Sequence, residues 1–160
     1  MRSCARHAKR QSVDEALKLK ILDVFQSQHL MAIATVRPDG FPQATWVNYI
    51  NDGLTLYFAA DAASQKIGNI RLCEKVSATI AAETQNFYKL RGVSLAGHAA
   101  RVRDAAKAAN VALRLFKKLP QSRRFVPNDP ASLAIIEIKP IAISLIDYSG
   151  GFGKSYLLEI

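Results

Sequence analysis

Between residues 13 and 28 apolar side chains return every three or four positions: Val13, Leu17, Ile21 and Val24, with Ala16 and Phe25 widening the stripe. That period predicts an amphipathic helix over Val13–Gln28. Ser12, with Glu15 three residues on, is the capping-box pair that starts one. Beyond Gln28 the pattern changes to short apolar runs and to alternation. Leu30–Val36, Gln43–Ile50 and Leu54–Ala60 read as strands, the last with Leu54, Leu56 and Phe58 on one face and Thr55 and Tyr57 on the other. Arg37-Pro38-Asp39-Gly40 and Asn51-Asp52-Gly53 are turn sequences, and Pro42 is tolerated only at a strand's start. Three strands on short turns predict an antiparallel meander.

A short helix is expected next, with Ser64 as N-cap and Ile67, Ile70 and Leu72 as apolar positions. Val76–Thr84 and Arg91–Val102 read as the fourth and fifth strands. Gly92 and Gly97 predict bends or bulges in the fifth. Asp104 caps a helix to about Lys118, with Ala105, Ala109, Ala112, Phe116 and Leu119 on the expected buried face. Pro120, Pro127 and Pro130 bound a loop. Ser132–Ile138 and Ile141–Ile146 are the expected sixth and seventh strands, divided at Pro140. The sum is a mainly β, α+β chain: a closed or nearly closed antiparallel sheet with a few helices around it. Residues 1–11 read as a flexible basic arm and 12–160 as a single domain without repeats or linkers.

Composition narrows this picture. With 160 residues, 49% of them hydrophobic and 22% charged, the chain suits one globular core. No apolar run approaches the ~20 residues that span a bilayer. No apolar stretch follows the N-terminal charges as a secretory signal requires. Cys4 and Cys73 form no metal or redox pattern, so a reducing cytoplasm is expected. The net charge of +9 is concentrated in two places. Arg2, Arg6, Lys9 and Arg10 stand without an acid in the arm, and 101–124 holds eight Lys and Arg against Asp104 alone. No nucleic-acid motif accompanies them, so a solvated tail and helix face are expected rather than a nucleic-acid surface.

The most informative stretch for chemistry is Leu54–Arg71. A strand feeding a helix through a small polar loop leaves backbone N–H groups free at the helix start, where they suit an anion, most often a phosphate. Lys66 adds a cation in the first turn. The plainer reading is a capped surface helix with a solvated lysine. Gly150-Gly151-Phe152-Gly153-Lys154-Ser155 imitates a nucleotide-hydrolase phosphate loop, but Tyr148 stands where its first glycine belongs and only five residues follow Ser155. A glycine-rich segment packing over a pocket or a partner subunit fits it better. His7, His29 and His98 have no metal spacing, and no metal site is expected. No catalytic side chain stands out, and no carboxylate pair or nucleophile triad can be argued. Trp46 is read either as core or as a ligand wall.

Taken in order, Thr35-Val36-Arg37-Pro38-Asp39-Gly40-Phe41-Pro42, Trp46-Val47-Asn48, Leu56-Tyr57-Phe58 and Ser64-Gln65-Lys66-Ile67-Gly68-Asn69-Ile70 resemble the pyridoxamine 5′-phosphate oxidase-like family, the flavin-binding split barrels. The likeness is clearest over residues 30–103. It implies an antiparallel split β-barrel of the FMN-binding type and a homodimer with flavin mononucleotide (FMN), or another flavin-like cofactor, at the interface. It implies that Thr45, Trp46, Val47 and Asn48 run beside the flavin ring, that Ala59 and Ala60 line the cofactor, and that Ser64, Gln65 and Lys66 lie at its phosphate. The chain departs from the family pattern at four places. Gln43–Thr45 offers no arginine in the first flavin strand, Ala60 replaces a threonine, Gln65 an arginine and Gly92 a glutamine. Oxidation of pyridoxamine phosphate itself is therefore not expected. The resemblance points to an FMN-dependent oxidoreductase of unknown substrate. The alternative is a non-catalytic split-barrel protein holding a flavin, haem or another anionic ligand.

Overall fold

The computed structural model describes residues 2–82, 84–125 and 129–160, and the side chains of all of these except 2–13, 125 and 130. Pro127 and the side chains of Arg2, Cys4, Arg6, His7, Lys9, Arg10 and Ser12 thus lie outside the described residues. The elements are α1 (Arg2–Ser27), β1 (Leu30–Val36), β2 (Pro42–Asp52), β3 (Thr55–Asp61), α2 (Gln65–Leu72), β4 (Lys75–Ala81), β5 (Arg91–Arg101), α3 (Ala105–Lys118), β6 (Leu133–Asp147) and β7 (Ser155–Glu159). α1 begins at Arg2 rather than Val13, so the backbone expected as a flexible arm continues the helix.

The strands run in the order β3-β2-β1-β4-β5-β6, all antiparallel, and β6 returns to pair with β3. The sheet is therefore a closed six-stranded barrel with no free edge among those strands. β7 adds outside it, on the second half of β6. The meander β1-β2-β3 pairs in register from Leu30↔Asn48 to Asp52↔Thr55. Alternation does the rest: Met31, Ile33, Val47, Tyr49, Leu56, Phe58, Val93 and Leu95 point into the barrel and are buried. Burial of each such side chain contributes about 1.5–3 kcal/mol.

α1 covers one end of the barrel, and Ile21 and Phe25 are fully buried against its interior. The Tyr49 hydroxyl donates to the Phe25 carbonyl at 3.0 Å, satisfying an acceptor in the helix's last turn. α2 closes the other end with Ile67 and Ile70. α3 lies outside, packing Val111 and Leu115 onto Ile50, Tyr57 and Ile135. Its buried face runs through Ala108, Val111, Ala112, Leu115 and Leu119, while Ala105 and Ala109, expected there, are exposed. At its first turn Lys107 Nζ donates to Glu137 Oε1 at 2.7 Å, and the Tyr57 hydroxyl donates to the same oxygen at 2.8 Å.

The expected sixth and seventh strands are one strand. β6 passes through Pro140 without ending, because a register irregularity at Ala96/Gly97 absorbs it: Ala96 faces Ala142, Gly97 faces Pro140, and Ile141 is left over. The extra residue reverses the alternation. Ala134, Ile136 and Ile138 face inward before it, Ile143 and Leu145 after it. Pro140 cannot donate to the ladder, and the bulge is where that is tolerated. A Cβ on Gly97 would stand 2.6 Å from the Lys139 carbonyl oxygen, so only glycine fits the approach of the two strands. The glycine-rich segment between β6 and β7 is a chain reversal with positive φ at Gly151 and Gly153. It is followed by a strand, and it stacks Phe152 on Phe87 and packs it at a tilt against Tyr148.

Candidate functional site

β2, the end of β3, the start of α2 and the C-terminal half of α3 enclose a cavity of about 400 Å3. Trp46, Val47 and Asn48 form one wall, Ala59, Ala60 and Asp61 the base, and Ser64 and Lys66 one end. Leu115, Phe116 and Leu119 form the wall opposite. Trp46 is 69% exposed, which rules out its reading as a core residue. It stands on the outer face of β2, beside the opening.

The α2 end is prepared for negative charge. Ser64 occupies the N-cap position with extended backbone, but its side chain makes no cap hydrogen bond. Its hydroxyl donates instead to the Asp61 carbonyl at 2.7 Å. The Ser64 carbonyl accepts from the amides of Ile67 and Gly68. Those of Gln65 and Lys66 have no partner among the described residues. Lys66 is half-buried and has no carboxylate within ion-pairing distance among the described residues. Helix amides and a cation that face the same space attract an anion.

Seven of the nine residues expected at a cofactor line this one cavity: Trp46, Val47, Asn48, Ala59, Ala60, Ser64 and Lys66. Thr45 and Gln65 do not. Thr45 shares the inward side of β2 with Gln43 and Val47, and its hydroxyl is buried without a partner. Gln65 is exposed, and its Oε1 accepts from Gln43 Nε2 at 2.6 Å. Gln43 Oε1 in turn accepts from Asn69 Nδ2 at 3.0 Å, and Asn69 also donates to Thr35 Oγ1 at 3.0 Å. Gln65, which the resemblance sets against a phosphate arginine, is thus bridged to Gln43, in the 43–45 stretch that offers no arginine. Asp61, Leu115, Phe116, Leu119, Ser122 and Leu133 complete the lining without local sequence signals that point to it. Phe116 and Leu119 were legible as an apolar helix stripe, but not as a wall.

The basic segment resolves into separate tasks. Lys118 donates to the Gln28 carbonyl at 2.6 Å and lies 5.0 Å from the Tyr49 ring centre, and burial lowers its pKa. Arg114 donates to the Asn51 carbonyl at 2.8 Å. His98 on β5 pairs with Glu74 at 3.1 Å. Among the described residues no three His, Cys, Asp or Glu side chains come together, and no helix is long and apolar enough to cross a membrane.

A closed six-stranded antiparallel barrel with three helices packed on it defines an α+β split barrel. The sequence profile of the pyridoxamine 5′-phosphate oxidase family matches residues 17–147, and the chain belongs to that family. Among solved structures it is similar to General Stress Protein 26 from Bacillus anthracis, with 24% identity and a TM-score of 0.68 over 90% of this chain and 98% of that one. It is similar in fold to a haem-binding protein from Mycobacterium smegmatis, with 17% identity and a TM-score of 0.73 over 85% of this chain and 55% of that one. HutZ, the haem storage protein from Vibrio cholerae, matches at 12% identity and a TM-score of 0.65 over 88% and 92%. No curated protein matches the chain significantly.

Proposed function

We propose that this chain is a homodimeric FMN-binding protein and acts as a flavin-dependent oxidoreductase on a substrate other than pyridoxamine phosphate. The observation that carries the reading is the single cavity that joins Trp46–Asn48, Ala59–Ala60 and the start of α2, with Lys66 unpaired among the described residues at one end. Lys66 and the free amides of Gln65 and Lys66 would hold the phosphate. The backbone of Trp46–Asn48 and of Ala59–Ala60 would run beside the ring. Leu115, Phe116 and Leu119 would keep water from it. When bound, the flavin supplies the redox chemistry. On this reading the chain's own contribution is to bind, orient and exclude water, and Asp61 and Lys66 are the ionisable side chains of the described lining.

The names of two fold neighbours raise haem as a second reading. The lining that this chain's described residues supply weighs against it, since it holds no histidine, cysteine, methionine or tyrosine able to act as an axial ligand.

The outer face of the barrel supports the dimer. Across β2, β1, β4, β5 and β6 it carries the row Ala44, Ala34, Ser77, Ala96 and Ala142 and the row Ala32, Thr79, Ser94 and Ser144. Ser77 and Thr79 donate to the carbonyls of their own neighbour strand. This small-residue face continues from Trp46, so a second copy seated on it would cover the cavity mouth. The same reading keeps the protein in a reducing cytoplasm, with Cys73 a free thiol.

The test is the visible spectrum of the purified protein before and after FMN is added and the excess removed, with the Lys66→Ala variant alongside. Retained flavin bands, and an affinity at least about tenfold weaker in the variant, are expected from the loss of a charge-assisted contact. A protein that retains no flavin, or a variant of unchanged affinity, would overturn the assignment.

A further inference from the structure

The described structure carries a second cavity, of about 550 Å3, beside the last turn of α2 and the end of β5. Its floor is apolar: Ile67, Ile70, Ala99 and Ile136 are all buried. Its rim carries three arginines, Arg71, Arg101 and Arg103, brought together from α2, from β5 and from the link into α3. None of them makes an ion pair among the described residues, whereas Lys20, Arg37, Arg91, Lys107 and Lys139 all do. Arg101 makes one long hydrogen bond, to the Leu133 carbonyl at 3.5 Å. The acid in the lining, Glu74, is engaged with His98. Three arginines against one carboxylate give this rim an excess of positive charge, which attracts an anion. Guanidinium forks match phosphate and carboxylate oxygens. The buried isoleucines beneath them disfavour a small hydrated ion and favour a hydrocarbon body. The volume falls within the range of roughly 300–1,000 Å3 usual for small-molecule sites.

We propose that this cavity is a binding site, separate from the first, for an amphiphilic anion: a phosphate or carboxylate head on an apolar chain or ring. The arginines take the head, and the apolar lining, from Leu72, Ala62 and Ala100 at the rim down to Ile67 and Ile70, takes the body. This gives Arg101 and Arg103, part of the basic segment, a task that is neither solvation nor nucleic-acid contact.

The experiment is calorimetric titration of the full chain with octyl phosphate below its micelle concentration, with inorganic phosphate and with octanol. Octyl phosphate is expected to bind at least about tenfold more tightly than either fragment, since head and body are recognised together. Arg101→Ala with Arg103→Ala is expected to weaken it by about tenfold or more, through loss of charge-assisted contacts at exposed positions that do not disturb the fold. Lys66→Ala is expected to leave the component of binding that depends on Arg101 and Arg103 unchanged. The proposal is overturned if inorganic phosphate binds equally well, if the double variant binds as the parent does, or if Lys66→Ala abolishes binding, which would put the ligand in the first cavity. It is equally overturned if the protein binds phosphatidylcholine vesicles containing phosphatidic acid but not octyl phosphate, for then the arginines read a surface charge and not an enclosed ligand.

Discussion

Replacing Gly97 with alanine tests the feature that lets β6 serve both halves of the barrel. The added Cβ would lie 2.6 Å from the Lys139 carbonyl oxygen, 3.0 Å from Pro140 Cα and 3.1 Å from the Lys139 carbonyl carbon. All three are backbone atoms, so no side chain can swing aside. Ordinary contact begins near 3.4 Å. The β5–β6 pair must open by roughly 0.5–0.8 Å at this point, in a close-packed wall with no slack. Overpacking of this kind costs about 1–3 kcal/mol, and the backbone identity of the blockers places this case at about 2–3 kcal/mol. For a domain of this size that is a fall in Tm of roughly 5–10 °C. Urea unfolding followed by far-ultraviolet circular dichroism is the suitable assay, because Trp46 is already exposed and reports poorly on unfolding. Gly68→Ala is the matched control. It lies inside α2 with open space where its Cβ would go, and it is expected to stabilise by about 0.5–1 kcal/mol. If Gly97→Ala lies within about 0.5 kcal/mol of the parent, as neutral surface changes do, the bulge is not the tight crossing described and the argument fails.

Tyr49→Phe removes the hydroxyl that satisfies the Phe25 carbonyl. It is expected to cost about 1–2 kcal/mol in urea unfolding, and no measurable change would refute a structural role for that bond. Asp147 is buried and accepts from the Ser149 hydroxyl and amide, with Arg91 and Lys20 nearby, and these together hold its pKa below the usual carboxylate value against the effect of burial. Its folded-state pKa is depressed, so its stabilisation is complete above the unfolded value of about 3.9 and is lost as pH falls through the folded value. The stability gap between the parent and Asp147→Asn is expected to be largest at neutral pH and to close in acid; a gap independent of pH would refute it. If the proposed site is right, binding of FMN weakens with salt, since Lys66 would hold the phosphate without the arginines of the family pattern. Affinity that is flat across ionic strength would argue against that placement.

The local patterns determined the elements. Alternation in Leu54–Phe58, the 37–40 and 51–53 turns and the Asp104 cap are short-range properties, and they placed the meander and α3 to within a few residues. The strand-to-helix passage at Ala59–Lys66 also announced free amides at the start of α2, because these follow from chain direction alone. Pro140 misled because a proline without an N–H normally ends a strand. Only the partner strand, with Gly97 opposite, could show that a bulge absorbs it. β7 was missed because an exposed edge strand such as Ser155–Glu159 buries little beyond Leu158 and so carries no clear alternation. The buried stripe of α3 was misassigned at Ala105 and Ala109 because alanine fits either face, and the underlying sheet decides. What the tertiary structure alone decided is which distant segments share a space. Residues 46–48, 59–66 and 115–119 meet at one cavity, and Arg71 meets Arg101 and Arg103 at another, through barrel closure between β3 and β6 and helix docking. Those are long-range packing events, and no periodicity along the chain encodes them.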